Sequence, residues 1–168
     1  MINSKQLSSN TTLGEAKKFL HDNWDVGAVC PCCTQMVKLY HRPITSSMAY
    51  ALILLYKYVE ASDGIIEYIH MNNYLNSLDI PFPVKSGDNA KLRYWGLIEE
   101  KVEIRKDGSK RAGYWRVTEL GKQFARGEIG VQQYARVFSS KCYGLAGEHI
   151  GIRDALGKKF NYNELMSL

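Results

Sequence analysis

Residues 85–122 read KSGDNAKLRYWGLIEEKVEIRKDGSKRAGYWRVTELGK, and this stretch decides the fold. Ser86, with Asp88 and Asn89 just inside, suits a helix N-terminus, because short polar side chains accept from amides that lack partners in a first helical turn. Ala90, Leu92, Tyr94 and Trp95 supply the apolar positions of that helix, and Gly96 ends it. Residues 97–105 and 112–118 then read as two strands. They are joined by Lys106-Asp107-Gly108-Ser109-Lys110-Arg111, in which Asp-Gly supplies the positive φ angles of a hairpin turn. Thr118 caps a final short helix over residues 119–126.

Upstream, a helix begins after Ser46 or Ser47 and runs to about Ala61, with Ala49, Leu52, Ile53, Tyr56 and Val59 on one face and Leu54 and Leu55 widening it. It is the expected core helix, stopped by Ser62-Asp63-Gly64. Residues 65–70 are branched and aromatic, as in a strand, and Asn72 or Asn73 caps a short helix reaching Leu78. Pro81 and Pro83 forbid helix continuation and mark a turn. The order from Ser46 is therefore helix, short strand, helix, turn, helix, strand, basic hairpin, strand.

That order resembles the winged helix-turn-helix family over residues 46–126. Two local phrases carry the likeness: Lys91-Leu92-Arg93-Tyr94-Trp95-Gly96-Leu97-Ile98, like a recognition helix passing into a wing, and Tyr114-Trp115-Arg116-Val117-Thr118-Glu119-Leu120-Gly121-Lys122, like the segment after the wing in bacterial transcription regulators. The resemblance implies an α+β fold with a winged helix-turn-helix core. It is flanked by an N-terminal helix and cysteine-rich knuckle (1–45) and a C-terminal extension (127–168) packed on the core. The whole chain is also similar to small bacteriophage proteins that begin with a Cys-Pro-x-Cys knuckle, a likeness that brings no function with it.

The resemblance implies binding of double-stranded DNA, with a recognition helix in the major groove and the wing on neighbouring backbone. It would present Lys85, Ser86, Asn89, Lys91 and Arg93 from the helix, with Asn89 and Arg93 as base readers, since Asn pairs with adenine and Arg with guanine through two hydrogen bonds. From the wing it would present Arg105, Lys106, Lys110 and Arg111. Trp95, Tyr114 and Trp115 read as core residues at these spacings.

Charge points the same way. The net charge is +5, and residues 82–126 hold 11 Lys/Arg against 6 Asp/Glu, whereas residues 1–81 hold 6 against 7 and residues 127–168 hold 5 against 4. The whole excess is in one segment, which creates a potential attractive to polyanions. With 168 residues, 45% of them apolar, and only 4 Pro, the chain is long enough for one good core and is neither disordered nor collagen-like. Its longest uncharged run, from Pro43 to Tyr56, has 14 residues, short of the roughly 18 that a spanning helix needs. Residues 1–20 contain lysines but no apolar block before a small-residue cleavage site, so a cytoplasmic location is expected.

Outside the core segment, Thr12-Leu13-Gly14-Glu15 fits a capping box for a helix over residues 13–23, with Leu13, Ala16, Phe19 and Leu20 on its apolar face. Cys30-Pro31-Cys32-Cys33 follows in a tight turn. Cys30 and Cys33 have the spacing that lets two thiolates meet one ion, so a structural zinc is expected. The remaining ligands are sought among Cys32, His41, His21, Cys142 and His149. His41 is the nearest candidate, if residues 33–41 fold back as a hairpin. In the extension, residues 134–139 and 142–145 suit strands, while residues 150–156 and 160–166 suit short helical pieces.

Catalysis is not expected. The chain lacks a Gly-rich phosphate loop, H-E-x-x-H and G-x-S-x-G. The alternative to DNA binding is a winged helix that inhibits or recruits a host protein, its basic wing engaging an acidic partner.

Overall fold

A computed structural model describes residues 7–8, 10–85, 87–109 and 112–168. Helix and sheet are mixed, with α1 Leu13–Asn23, β1 Ala28–Val29, β2 Met36–Val37, β3 Tyr40–Pro43, α2 Ser46–Ala61, β4 Ile69–His70 and α3 Met71–Ser77 in the first half. A 3-10 turn, Phe82–Lys85, and a 3-10 helix, Gly87–Trp95, follow. The second half contributes β5 Ile98–Glu100, β6 Tyr114–Val117, α4 Glu119–Ala125, β7 Val131–Phe138, β8 Lys141–Ile150, α5 Ile152–Leu156 and α6 Tyr162–Ser167. No helix of the described residues is long and apolar enough to cross a membrane.

The core is built around α2. Thr45 caps it by accepting from the Met48 amide at 3.3 Å, and residues 48–56 are buried without interruption. A helix apolar on every side needs cover on every side. Here α4, α5 and α6 pack on α2 together with both 3-10 elements and β6. The Lys57 ammonium reaches over to the Leu165 and Met166 carbonyls at the end of α6, at 3.1 and 3.0 Å. A cation there satisfies carbonyls that a helix end leaves without intrahelical donors.

Two three-stranded antiparallel sheets flank this helix, ordered β4-β6-β5 and β3-β7-β8. The second joins distant parts of the chain: Tyr40 to Pro43 pair with Val137 to Tyr134. β3 thus belongs by sequence to the N-terminal segment and by hydrogen bonding to the sheet of the C-terminal extension. β1 and β2 form a separate small hairpin, with Ala28 opposite Val37 and Val29 opposite Met36.

Several local expectations change in detail. α1 has its capping box, with the Thr12 amide donating to Glu15 at 2.9 Å and the Glu15 amide donating to Thr12 Oγ1 at 3.3 Å. Leu13, however, is exposed and only Ala16 is buried, so α1 lies lightly on the surface. The N-cap of α3 is His70, whose Nδ1 accepts from the Asn73 amide at 3.3 Å, and not Asn72 or Asn73. Regular strand pairing within residues 65–70 and 97–105 covers Ile69–His70 and Ile98–Glu100, with an isolated bridge at Ile104, because β6, to which both β4 and β5 bond, is itself four residues long.

Candidate nucleic-acid interface

The two phrases quoted above are locked together. Thr118 Oγ1 donates to the Gly96 carbonyl at 2.6 Å and accepts from the Gly121 amide at 3.0 Å, so one hydroxyl closes the end of the 3-10 helix and starts α4. The Thr118 amide donates to the Leu97 carbonyl at 3.1 Å. Gly121 lies against that same carbonyl, and a Cβ there would be 2.1 Å from the oxygen. Gly96 has φ of 69°, the left-handed region that a side chain disfavours. Gly-Leu-Ile and Thr-Glu-Leu-Gly are thus two sides of one contact.

The segment expected to be a recognition α-helix is a nine-residue 3-10 helix. With three residues per turn, side chains three apart line up along one row. Asn89, Leu92 and Trp95 form that row, and all three are buried. Trp95 Nε1 donates to the Gln132 carbonyl in β7 at 2.6 Å, which ties the helix to the second sheet. Asn89 is therefore not a base reader: it is fully buried, and its Nδ2 donates to the Val84 carbonyl at 2.6 Å, closing the preceding turn. Asn89→Ala strands that carbonyl without its donor and should cost about 2 kcal/mol of stability. Urea unfolding measures this, and a variant as stable as wild type would mean that the Asn89 contact contributes nothing.

The remaining cations divide by what they touch. Lys91 is paired with Asp88, one turn back. Lys101 meets Glu103 at 2.9 Å, and Arg116 bridges Glu99 at 2.6 Å and Glu67 at 2.8 Å. Lys122 meets Glu60 at 3.1 Å and Arg126 meets Glu128 at 2.6 Å. Lys85, Arg93, Arg105 and Lys106 have no carboxylate at ion-pair distance among the described residues. Arg93 is exposed, with its guanidinium 5.3 Å from the Tyr94 ring centroid and 5.9 Å from that of Trp115. Arg105 and Lys106 are exposed at the hairpin tip, whose turn is closed by Asp107. Its carboxylate accepts from the Ser109 amide at 2.9 Å and hydroxyl at 2.6 Å, which hold it below the usual carboxylate range. Ser86, Lys110 and Arg111 lie outside the described residues. Trp95 and Trp115 are buried and Tyr114 half-buried, as core residues are.

The cysteine segment forms the tip of the β1–β2 hairpin. The Cys30 amide donates to the Gln35 carbonyl at 2.8 Å and the Thr34 amide to the Cys30 carbonyl at 2.9 Å. The amides of Cys33 and Cys32 point at Cys30 Sγ and hold that thiol below its ordinary range. His41 does not join Cys30 and Cys33. The hairpin closes at Met36–Val37, so residue 41 has already passed into β3, opposite Arg136, where its ring lies 6.1 Å from that of Tyr134. Among the described residues no three His, Cys, Asp or Glu side chains converge on a common point. Cys142 and His149 are in β8, and His21 stacks on Trp24 at 4.3 Å.

No protein-family model, curated protein or solved structure matches this chain.

Sequence reasoning missed the exposed apolar side chains beside the cations. Val102 and Ile104 on the first arm of the hairpin are 87% and 68% exposed, and Phe82, between two prolines, is 82% exposed. The signal was present: an alternation of apolar and charged residues along Lys101-Val102-Glu103-Ile104-Arg105 puts one face of a strand in contact with whatever lies beside it. Here no second layer lies there.

Proposed function

We propose that residues 46–126 form a winged helix-turn-helix module that binds double-stranded DNA, in a regulator of bacteriophage or bacterial type. The strand order β4-β6-β5 around α2, α3 and the 3-10 helix supports the winged-helix reading, since the third strand of that arrangement returns between the first two. The observation that carries DNA binding is the distribution of unpaired cations. Among the described residues of the basic segment, Lys91, Lys101, Arg116, Lys122 and Arg126 have carboxylate partners, while Lys85, Arg93, Arg105 and Lys106 do not. Lys85 ends the 3-10 turn, Arg93 is in the 3-10 helix, and Arg105 and Lys106 are at the hairpin tip. Cations that serve no ion pair are available to phosphate. With Asn89 turned inward, base reading falls to Arg93, whose planar guanidinium suits the guanine edge.

Fluorescence anisotropy with a labelled random duplex tests this. The logarithm of the binding constant should fall linearly with the logarithm of salt concentration, with a slope of about −0.9 for each phosphate neutralised. Absence of binding at low salt would remove the proposal. The exposed Val102 and Ile104 favour a second reading, a protein-binding wing that buries them against a partner. Such a complex would persist at salt concentrations that dissociate random duplex.

A further inference from the structure

The Cys30-Pro31-Cys32-Cys33 turn is half of a metal site presented outward. A tetrahedral zinc site held by protein alone takes four ligands, commonly sulfur and imidazole. The hairpin supplies two thiols at the required spacing, on a tip fixed by the Cys30 and Thr34 backbone bonds and by Leu39, whose amide donates to the Trp24 carbonyl at 2.8 Å. Among the described residues nothing else completes it. No three potential ligands converge among the described residues, and the ten others are none of them His, Cys, Asp or Glu. Cys33 is exposed and Cys30 half-exposed, so both thiols are open to a partner.

The surroundings of the tip indicate which partner. Residues 26–37 include no charged side chain and no histidine. Val29 and Met36 on this hairpin are 52% and 49% exposed, and Val26 in the turn leading into it is 74% exposed. A surface of that kind meets an identical surface without like-charge repulsion, and the contact buries apolar area on both sides. Two tips facing each other bring four thiols around one point.

We infer that Cys30 and Cys33 from two copies of this chain bind one Zn²⁺ between them, making a metal-dependent dimer joined at the β1–β2 hairpins. Binding replaces four S–H bonds by four Zn–S bonds and releases four protons to solvent, with no change of oxidation state. The inference stands apart from DNA binding: it holds whatever the wing contacts.

The test measures zinc content and molar mass together, on the full chain kept under a phosphine reductant. Expected are one zinc per two chains and a dimer by light scattering, converted to monomer by chelator and restored by added Zn²⁺. Cys30→Ser and Cys33→Ser should each be monomeric with zinc reduced at least tenfold, while Cys32→Ser remains a zinc-bound dimer. Because the tip is exposed, circular dichroism of the serine variants should match that of metal-free wild type, which separates loss of the site from loss of the fold. One zinc per monomer, a monomer at every zinc concentration, or a dimer that survives chelation would each overturn the inference.

Discussion

Gly121→Ala is expected to destabilise the protein by about 3 kcal/mol, a large part of the total stability of a domain this size. The cause is a single methyl group. A Cβ at residue 121 would come 2.1 Å from the Leu97 carbonyl oxygen and 2.9 Å from Val117 Cγ1. The oxygen is backbone, and it already accepts from the Thr118 amide, so it cannot swing aside without breaking that bond. Relief requires α4 to move off the strand pair β5–β6, and α4 is packed on α2. Gly14→Ala makes the useful contrast. Gly14 is in the first turn of α1 with nothing within 4 Å of an added Cβ, so the same substitution should stabilise by about 0.5 kcal/mol through helix propensity. Urea unfolding of the two variants should give midpoint shifts of opposite sign. A Gly121→Ala shift below about 0.5 kcal/mol would mean that α4 is free to move at little cost, and the contact would not hold β5 and β6 in place.

Removing Lys85, Arg93, Arg105 and Lys106 together, each as alanine, is expected to weaken duplex binding by about three orders of magnitude at roughly 0.1 M salt. Each cation that meets a phosphate releases about 0.9 of a counterion, so with Lys85, Arg105 and Lys106 on phosphate and Arg93 on a base edge the log–log salt slope should flatten by about 3 units. Stability should fall by no more than about 1 kcal/mol, because none of the four has a carboxylate partner among the described residues and Arg93 touches the core only through its guanidinium beside the Tyr94 and Trp115 rings. Lys122→Ala is the control. It removes a cation of the same segment that is already engaged with Glu60 at 3.1 Å, and the slope should stay near its wild-type value. If the fourfold variant kept the wild-type salt slope, the anion would be bound elsewhere and the basic hairpin would serve another purpose. The Arg93→Ala single variant divides the roles further, since a base reader lost from the set should narrow the difference between preferred and random duplexes, whereas Lys106→Ala should lower both alike.

The contrast between Asn89 and Arg93 shows how far the sequence carries. Both are polar, both lie in the same short helix, and an α-helical reading places each within reach of a neighbouring molecule. Their fates differ because the helix has three residues per turn and not 3.6. In that winding Asn89 shares a row with Leu92 and Trp95, and the row faces inward; Arg93 falls on another row and remains outside. The winding follows from what flanks the segment, a 3-10 turn before it, a left-handed Gly96 after it and the Trp95 bond to Gln132 across the core. None of these is visible in the residues of the helix alone. His41 fails as a ligand for a similar reason. Eight positions from Cys33 is compatible with a return to the cysteines, but strand pairing with residues 134–137 draws that segment into the other sheet.

The sequence by itself determined the elements whose signals are local. Thr12 and Glu15 close the first capping box, Thr118 caps α4, Gly96 and Gly108 take positive φ, and the uninterrupted apolar run over residues 48–56 makes a helix that has to be central. It also determined where the charge excess falls, because charge is counted along the chain. Only the tertiary structure decided which of those charges are spent on partners, which polar side chain is buried, and that Cys30 and Cys33 meet no His, Asp or Glu ligand among the described residues. Those outcomes depend on contacts between residues tens of positions apart, such as Lys122 with Glu60 and Trp95 with Gln132. Local propensity does not encode such distances; the packing of a shared core does.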